Sequence, residues 1–518
     1  MEPQNLPMNP DGSHPAHRPL SFAALFLIEM WERFGYYGMA ALLVLFLVQR
    51  MHMGDASANL RWGAFSAMVY ALPCLGGWIG DSVLGSRRTM VIGAATLLVG
   101  YFLLSLPFAD LLYLSLAVIA VGNGLFKANP SNLIGQLYHG EPSKIDSAFT
   151  LYYLAVNIGS LISMVLTPII ASVYGWHAAF MLCWIGLALG LANYAVMRKA
   201  LGRVGSPPDS RPLHVGKTVA VGAGSLAIVV LMAGVIQNTS VATGLVVGMG
   251  LLVAGFFLYM IVRGVPRERN GIIVCLVLTL ETIAFFVFYQ QMSTSLTLFA
   301  LRNVQHHWLG IPIQPAQFQV LDPLWIVIAS PVLAWMYNHF GRRGSDLTIS
   351  TKFALGMYLV SGAFYVYSLS AHFAVMGRIS AGWMVAGYGL QSLGELLISG
   401  LGLAMVSRLV PSRMRGFMMG AWFLGVGASE YLGSAVANLA AVPRHLHNPV
   451  TTLPIYVHLF MMLGLAALVI AILSTALVPF LNRLASAHER SGNGLGRGPL
   501  QPTSGSSELP EVDPVSAG

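Results

Sequence analysis

An all-α integral membrane protein is the fold class that this sequence predicts, and its composition and apolar segments are the observations that predict it. Of the 518 residues, 56% are hydrophobic and only 9% are charged, whereas about a quarter of a soluble protein is charged. Many apolar segments reach the ~20 residues that an α-helix needs to cross a bilayer. They run continuously, whereas the strands of an outer-membrane barrel alternate apolar and polar residues.

Fourteen apolar segments are candidate spans, arranged as six, then two, then six. They lie at 21–49, 60–80, 88–107, 111–138, 147–172, 177–200, 218–236, 241–262, 271–301, 320–340, 351–370, 377–409, 416–440 and 454–482. The two middle segments contain almost no ionisable residues. We therefore expect this extra helix pair to lie outside the functional bundle.

This arrangement also predicts the domain organisation, in which two six-helix bundles are separated by a basic linker and the extra pair. The linker contains Pro207-Pro208, and the chain ends in a stretch rich in Gly, Ser and Pro that is typical of disorder. The predicted boundaries are a cytoplasmic N-terminus at 1–20, an N-terminal bundle at 21–200, a cytoplasmic linker at 201–217, the extra pair at 218–264, a C-terminal bundle at 271–482 and a disordered cytoplasmic tail at 484–518.

The distribution of basic residues predicts that both termini are cytoplasmic. With this orientation, 21 of the 28 Lys and Arg residues lie in cytoplasmic segments and 5 in outer loops, as the positive-inside rule requires. The remaining two, Arg33 and Lys127, lie inside spans. Because the basic residues are spread over many short loops, the net charge of +8 does not indicate nucleic acid binding.

The first span carries an unusual set of charged residues. Glu29, Glu32, Arg33 and Tyr36 share one helix face, and Tyr37 lies at its edge. Each charge at the centre of a membrane helix costs roughly 2.5 to 3.5 kcal/mol. Such residues must face protein or water and partner one another, so this face predicts a functional site.

Two further charged residues within spans suggest the chemistry of that site. Lys127 lies in the fourth span, shortly before Pro130, and Glu395 lies in the tenth. Together with Arg33 they would give a cavity one positive and one negative wall, which suits a zwitterion such as a short peptide. Snorkelling of Lys127 to the membrane surface is the alternative.

Coupling of transport to protons would require a buried group that changes its protonation state, and the two glutamates of the first span are candidates. We hypothesise that Glu29 and Glu32 pair with Arg33 or Lys127 until protonation frees the cations for the peptide carboxylate. The alternative is a static charge cluster that only fixes helix packing.

The loop between the second and third spans contains Asp81, Arg87 and Arg88, and it resembles the signature loop of the major facilitator superfamily. The loop after the eighth span keeps a Gly and an Arg pair, Gly341-Arg342-Arg343, but lacks the Asp. This resemblance implies two six-helix bundles that rock about a site at the membrane midplane. The arginines would act in gating or, alternatively, only set the topology.

Four motifs resemble those of the proton-dependent oligopeptide transporter (POT/PTR) family. They are Glu29-x-x-Glu32-Arg33-Phe34-x-Tyr36-Tyr37-Gly38, Gly124-Leu125-Phe126-Lys127, Tyr152-Tyr153-Leu154-Ala155-Val156-Asn157-Ile158-Gly159 and Gly394-Glu395-Leu396. The similarity covers nearly all twelve core helices, and the extra pair is typical of bacterial members.

The resemblance implies roles for individual residues. Arg33 and Lys127 would bind the peptide carboxylate, Glu395 would bind the amino terminus, and Glu29 and Glu32 would act in proton coupling. Tyr37, Tyr70, Asn157 and Trp422 would line the pocket. Independently of the resemblance, we expect Tyr36 to offer an aromatic surface to peptide side chains.

The sequence departs from the family pattern at three places. Many relatives have an Arg after the first motif and a Glu in the seventh span, but the corresponding positions here are Ala40 and either Gln290 or Gln291. Asp322 lies where relatives commonly have Asn; it could contact the peptide ammonium or cap a helix at the membrane edge.

The sequence therefore predicts a proton-coupled symporter for dipeptides and tripeptides in a bacterial inner membrane. The proton would be the coupling ion, with no other cofactor, and a monomer would be functional. Alternatives are a transporter of nitrate or a drug, or a membrane sensor or enzyme. We do not expect an enzyme, because the sequence has no metal-ligand spacing and no nucleophile motif.

Overall fold

The computed structural model describes residues 18–139, 142–202, 204–263, 266–342, 347–410, 415–446 and 448–493, and these residues are almost entirely helical. The predictions for 1–17, for Arg343 and for most of the tail, 494–518, lie outside these ranges. One antiparallel pair of short strands, β1 (His307–Trp308) and β2 (Ile311–Pro312), lies in a loop.

The α-helices of these ranges follow one another with short connections. They are α1 (Arg18–Leu45), α2 (Asp55–Ala71), α3 (Pro73–Ser82), α4 (Ser86–Ser105), α5 (Leu112–Lys127), α6 (Asn129–Leu137), α7 (Pro142–Tyr174), α8 (Trp176–Met197), α9 (Val215–Gln237), α10 (Thr239–Arg263), α11 (Pro266–Tyr289), α12 (Ser295–Asn303), α13 (Leu321–Arg342), α14 (Ile349–Leu369), α15 (Ala381–Leu409), α16 (Arg415–Ala437) and α17 (Pro449–Asn493).

Within the described residues, twelve helical segments are long and apolar enough to cross a membrane. Two further helices, α15 with 29 residues and α16 with 23 residues, belong to the second bundle. The fold is the predicted all-α arrangement of two bundles, with a helix pair between them in the sequence. The number of spans and the side of each terminus stay predictions.

Two spans of the first bundle are interrupted where a proline begins a new helix. Pro73 stands in the first turn of α3 and Pro130 in the first turn of α6, where a missing N–H donor costs nothing. The two interrupted spans cross closely, since a Cβ on Gly76 would overlap the carbonyl oxygen of Gly124. Asn129 also donates a 3.4 Å hydrogen bond to the carbonyl of Gly76.

The extra pair, α9 and α10, packs against both bundles without reaching the space between them. Helix α9 contacts α2 and α5, while α10 contacts α2, α11 and α16. The hydroxyl of Tyr431 on α16 lies 2.7 Å from the hydroxyl of Thr243 on α10 and donates to the carbonyl of Thr239 at 3.1 Å.

The two bundles meet at the end of the molecule that the basic residues assign to the outside. A Cβ on Gly63 of α2 would lie 2.6 Å from the Ser434 Cβ of α16, so these helices touch closely. Asn59 donates a 3.1 Å hydrogen bond to Asn438. The described contacts therefore close the space between the bundles toward this end.

The linker after α8 folds back onto the loop between α3 and α4. Asp209 accepts hydrogen bonds of 3.1 Å from the backbone N–H groups of both Ser206 and Arg87. Gly85 has a φ of +102°, and a Cβ there would overlap the Asp209 carboxylate. The loop can therefore admit this carboxylate only because position 85 is glycine. We call residues 204–211 the strap.

The two arginines of the signature loop also bind the strap. Arg87 donates to the carbonyl of Gly202 at 2.7 Å, and Arg88 donates to the carbonyls of Pro208 at 3.1 Å and Arg211 at 2.6 Å. Asp81 accepts a 2.6 Å hydrogen bond from Asn132 of α6. In this structure the predicted gating residues hold the linker against the first bundle; gating itself stays a prediction.

Candidate functional site

A cavity of about 270 Å³ lies between the two bundles. It is lined from α1, α2 and α7 on one side and from α11, α13, α15 and α16 on the other. Of the ten residues predicted to bind peptide, seven line it: Tyr36, Tyr37, Tyr70, Asn157, Gln290, Asp322 and Glu395. The other three, Arg33, Lys127 and Trp422, are not in its lining.

The charged face of α1 forms a compact buried cluster beside this cavity. The Nε atom of Arg33 lies 3.2 Å from Glu29 Oε1 and 2.5 Å from Glu32 Oε2. Asn123 of α5 donates a 3.2 Å hydrogen bond to Glu32. Arg33 thus lies between two carboxylates. Its Nη2 atom has no hydrogen-bond partner in the described structure, so the guanidinium retains a donor for an anion.

The two cations of the first bundle lie against aromatic rings that line the cavity. The guanidinium carbon of Arg33 is 5.5 Å from the ring centre of Tyr36, and the Lys127 ammonium is 4.2 Å from the ring centre of Tyr70. These are cation–π distances. The tyrosines therefore form a layer between the cavity and the two positive charges.

Lys127 occupies the last position of α5, at the interruption before α6. Its ammonium forms no ion pair with a described carboxylate and lies over the ring of Tyr70. The interruption ends the helix at this residue, and Pro130 leaves the adjoining turn without one backbone donor. Because its ammonium lies over the ring of Tyr70, which lines the cavity, Lys127 points to the bundle interior, and the snorkelling alternative does not describe this structure.

The opposite wall of the cavity is acidic and belongs to the second bundle. Asp322, in the first turn of α13, accepts a 2.6 Å hydrogen bond from Ser392 and a 2.9 Å hydrogen bond from Tyr289. Glu395 on α15 lies within hydrogen-bonding reach of Asp322. Because side chains of other helices occupy both Asp322 oxygens, this residue is part of the cavity wall and is not a helix cap.

Glu430 is a site residue that sequence reasoning missed. It lines the cavity from α16 and accepts a 2.7 Å hydrogen bond from Ser66 on α2, so it also joins the two bundles. The only available signal was a carboxylate inside an apolar span. Glu281 gave the same signal, but it lies outside the cavity lining, beside Ser474 of α17.

The side chains of the two adjacent glutamines of the seventh span have different surroundings. Gln290 lines the cavity together with Ala40, and its amide lies 3.5 Å from the Ser434 hydroxyl. Gln291 instead donates to the carbonyls of Val287 and Gly433, at 3.0 Å and 2.9 Å. Ala40 and Gln290, both uncharged, thus occupy the place where many relatives are expected to have a salt bridge.

Trp422 is buried beside the cavity and does not line it. Its ring centre lies 5.1 Å from that of Phe423, and its indole N–H has no hydrogen-bond partner among the described residues. Within the part of the chain that the structure describes, no three His, Cys, Asp or Glu side chains form a potential metal site.

Comparison with known proteins identifies the family. The sequence model of the POT family matches residues 87–453, which is most of the chain. The chain belongs to the POT family. Members of this family are transporters and not enzymes, as the sequence predicted. The matched region begins after the motif on the α1 face.

Curated relatives match this chain over nearly their full length. Dipeptide and tripeptide permease A of Cronobacter turicensis is 44% identical over 472 residues, which cover 90% of this chain and 94% of the relative. Dipeptide and tripeptide permease A of Escherichia coli is 43% identical over 472 residues, covering 90% and 93%.

Solved POT structures share the fold. A crystal structure of tetrameric PepTSo2 is 47% identical, has a TM-score of 0.83 and matches over 90% of this chain and 99% of that one. A crystal structure of a peptide transporter POT in complex with sulfate is 29% identical, has a TM-score of 0.79 and matches over 92% and 97%. These matches agree with the predicted two-bundle fold.

Proposed function

We propose that this protein is a proton-coupled symporter that imports dipeptides and tripeptides through the inner membrane of a bacterium. The observation that carries the proposal is the charge separation across the cavity. Arg33 and Lys127 lie on the side of the first bundle, and Asp322 and Glu395 lie on the side of the second. A peptide zwitterion has a complementary charge at each end.

The carboxylate end of the peptide would lie toward the first bundle. Arg33 offers its Nη2 donor and Lys127 a point charge, so a carboxylate could engage both. Tyr36 and Tyr70 separate the cations from the cavity, and we propose that these rings turn aside when the carboxylate binds. Side chains of the peptide would contact the remaining polar and aromatic lining, including Tyr37 and Asn157.

The ammonium end would lie between Asp322 and Glu395, with Glu430 also on the side of the second bundle. Two ionised carboxylates offer no hydrogen-bond donor to each other. An ammonium between them would supply donors to both groups. The acidic wall also disfavours nitrate, which would be repelled by carboxylates that line the cavity.

The balance of charge favours protons as the coupling ion. Around the cavity the described residues include the cations Arg33 and Lys127 and five carboxyl groups, namely Glu29, Glu32, Asp322, Glu395 and Glu430. A zwitterionic peptide adds one charge of each sign and leaves the negative excess unchanged. Bound protons reduce this excess, and we propose that they enter with the peptide.

Uptake of labelled dialanine into proteoliposomes, with and without an inward proton gradient, tests the proposal. We expect the gradient to drive accumulation by the wild-type protein. Glu32→Gln should lose gradient-driven accumulation but keep exchange of peptide between two pools, and Lys127→Ala should lower the affinity for dialanine in both assays.

Glu281→Gln is the matched control, because this carboxyl group is also within a span but lies away from the cavity. It should behave as the wild type. Wild-type protein that does not accumulate dialanine would contradict peptide import. Gradient-driven accumulation that survives Glu32→Gln would contradict the assigned role of Glu32 in coupling.

A further inference from the structure

A second large cleft lies on the outside of the first bundle, between α3, α5 and α9. Its volume is about 410 Å³, larger than that of the central cavity. Apart from Lys217 and Ser225, the cleft is lined by apolar residues and glycines. We call it the α9 groove.

Helix α9 leaves space in the groove because it presents small residues there. Ala220 and Gly224 are one helical turn apart and line the groove, and a Cβ on Gly224 would meet no atom within 4 Å. On the opposite wall Trp78 of α3 is 58% exposed despite its size. Large apolar surface is therefore uncovered along the groove.

The length of the groove matches one leaflet of a bilayer. Its lining on α9 runs from Lys217 to Ile228, and eleven residues of helix rise about 17 Å. Half of the hydrocarbon core of a bilayer is about 15 Å thick. A single acyl chain from one leaflet therefore fits the groove along its length.

The end of the groove that the sequence assigns to the cytoplasm is basic. Lys217 is exposed in the first turn of α9 and makes no hydrogen bond or ion pair with a described residue. Arg88, in the first turn of α4, donates to the carbonyl of Leu84, which adjoins Val83 of the groove wall. The nearby carboxylate of Asp209 is bound to Arg87 and to backbone N–H groups.

From this match of length and charge we propose that the α9 groove binds one anionic phospholipid of the cytoplasmic leaflet. One acyl chain lies between Trp78 and Gly224, and the phosphate contacts Lys217. The groove wall includes Gly124 and Leu125, which come shortly before Lys127. A bound acyl chain therefore packs against the close crossing of α3 and α5, next to Lys127.

Native mass spectrometry of the full-length protein, supplied with palmitoyl-oleoyl phosphatidylglycerol or phosphatidylcholine, tests the proposal. We expect one phosphatidylglycerol to be retained in preference to phosphatidylcholine. Lys217→Gln should lower that preference about fivefold, the effect of one basic residue on an anionic lipid. Gly224→Leu should abolish retention by filling the groove.

Gly250→Leu is the matched control, because Gly250 on α10 is also exposed, has no atom near an added Cβ and lies outside the groove. It should retain the lipid as the wild type does. Equal retention by Gly224→Leu and the wild type would overturn the proposal, as would equal binding of the two lipids. A dimer that Gly224→Leu dissociates would also overturn it, since a second copy would then cover the groove.

Discussion

The guanidinium of Arg302 donates hydrogen bonds of 2.6 Å and 2.8 Å to the two carboxylate oxygens of Asp55. Arg302 belongs to α12 of the second bundle and Asp55 begins α2 of the first. Arg302 also donates to the hydroxyl of Tyr456 at 2.6 Å. This bidentate pair therefore links the bundles at the end where the cavity is closed.

Replacing Asp55 by Ala should open that end of the cavity. Loss of the carboxylate leaves a largely buried arginine unpaired, and a change of ~1.4 kcal/mol would shift the balance of closed and open forms about tenfold. In a chain without its native cysteines, a cysteine at Ser160 in the cavity lining should react about ten times faster with an impermeant maleimide from outside.

The double variant with Ala at both Asp55 and Arg302 should be no more open than Asp55→Ala, because removing both partners strands no charge. An unchanged labelling rate in Asp55→Ala would show that this pair does not hold the end closed.

The ring of Tyr70 should matter more than its hydroxyl. Tyr70→Phe keeps the aromatic face against Lys127, so the affinity for dialanine should change less than twofold. Tyr70→Ala removes a cation–π contact, worth ~1 to 2 kcal/mol at a desolvated site, that the ring must break when it turns aside, so the dissociation constant should fall about 5- to 30-fold. Binding measured by calorimetry checks both values; equal affinities for the two variants would contradict the cation–π contact.

A methyl group at Gly76 should destabilise the first bundle. Its Cβ would overlap a backbone oxygen of α5, which cannot move away as a flexible side chain could. We expect Gly76→Ala to cost ~1 to 3 kcal/mol and to lower the melting temperature in detergent by several degrees. Gly135→Ala, where a Cβ meets no atom within 4 Å, is the control and should not melt earlier.

Removal of the Asp209 carboxylate should release the strap. Asp209→Ala loses the two backbone hydrogen bonds and the interaction with Arg87, with an expected cost of ~1 to 2 kcal/mol. Trypsin should then cleave after Arg203, at the bond to Val204 that begins the strap, several times faster than in the wild type. Asp110→Ala changes an exposed carboxylate at the other end of the bundle and should not alter cleavage; equal cleavage of all three proteins would refute the docking of the strap.

The charged face of α1 could be predicted because helical periodicity and the cost of charge in lipid are both properties of sequence. The positions of Glu281 and Glu430 could not be predicted in this way. Both are carboxylates in apolar spans, but tertiary packing turns Glu430 to the cavity and Glu281 to Ser474. The same packing separates Gln290 from Gln291, although the two are adjacent in sequence.

Two other features were hidden from sequence for different physical reasons. Asp209 lies in a linker without helical or strand periodicity, so nothing local indicated that its carboxylate would enter the loop at Gly85. The rings of Tyr36 and Tyr70 were expected in the pocket, but their position over Arg33 and Lys127 depends on side-chain geometry that only the folded bundle defines.

The interruptions at Leu72 and Ala128 have a mechanical consequence. Beyond them, α3 and α6 are joined by hydrogen bonds from Asn129 to Gly76 and from Asn132 to Asp81, and Asp81 lies in the last turn of α3, next to the loop that holds the strap. Helices α3 and α6 therefore form one unit, which begins beside Lys127. Because Asp81 also accepts a 3.4 Å hydrogen bond from Ser206 of the strap, a displacement of α3 and α6 would be transmitted to the linker.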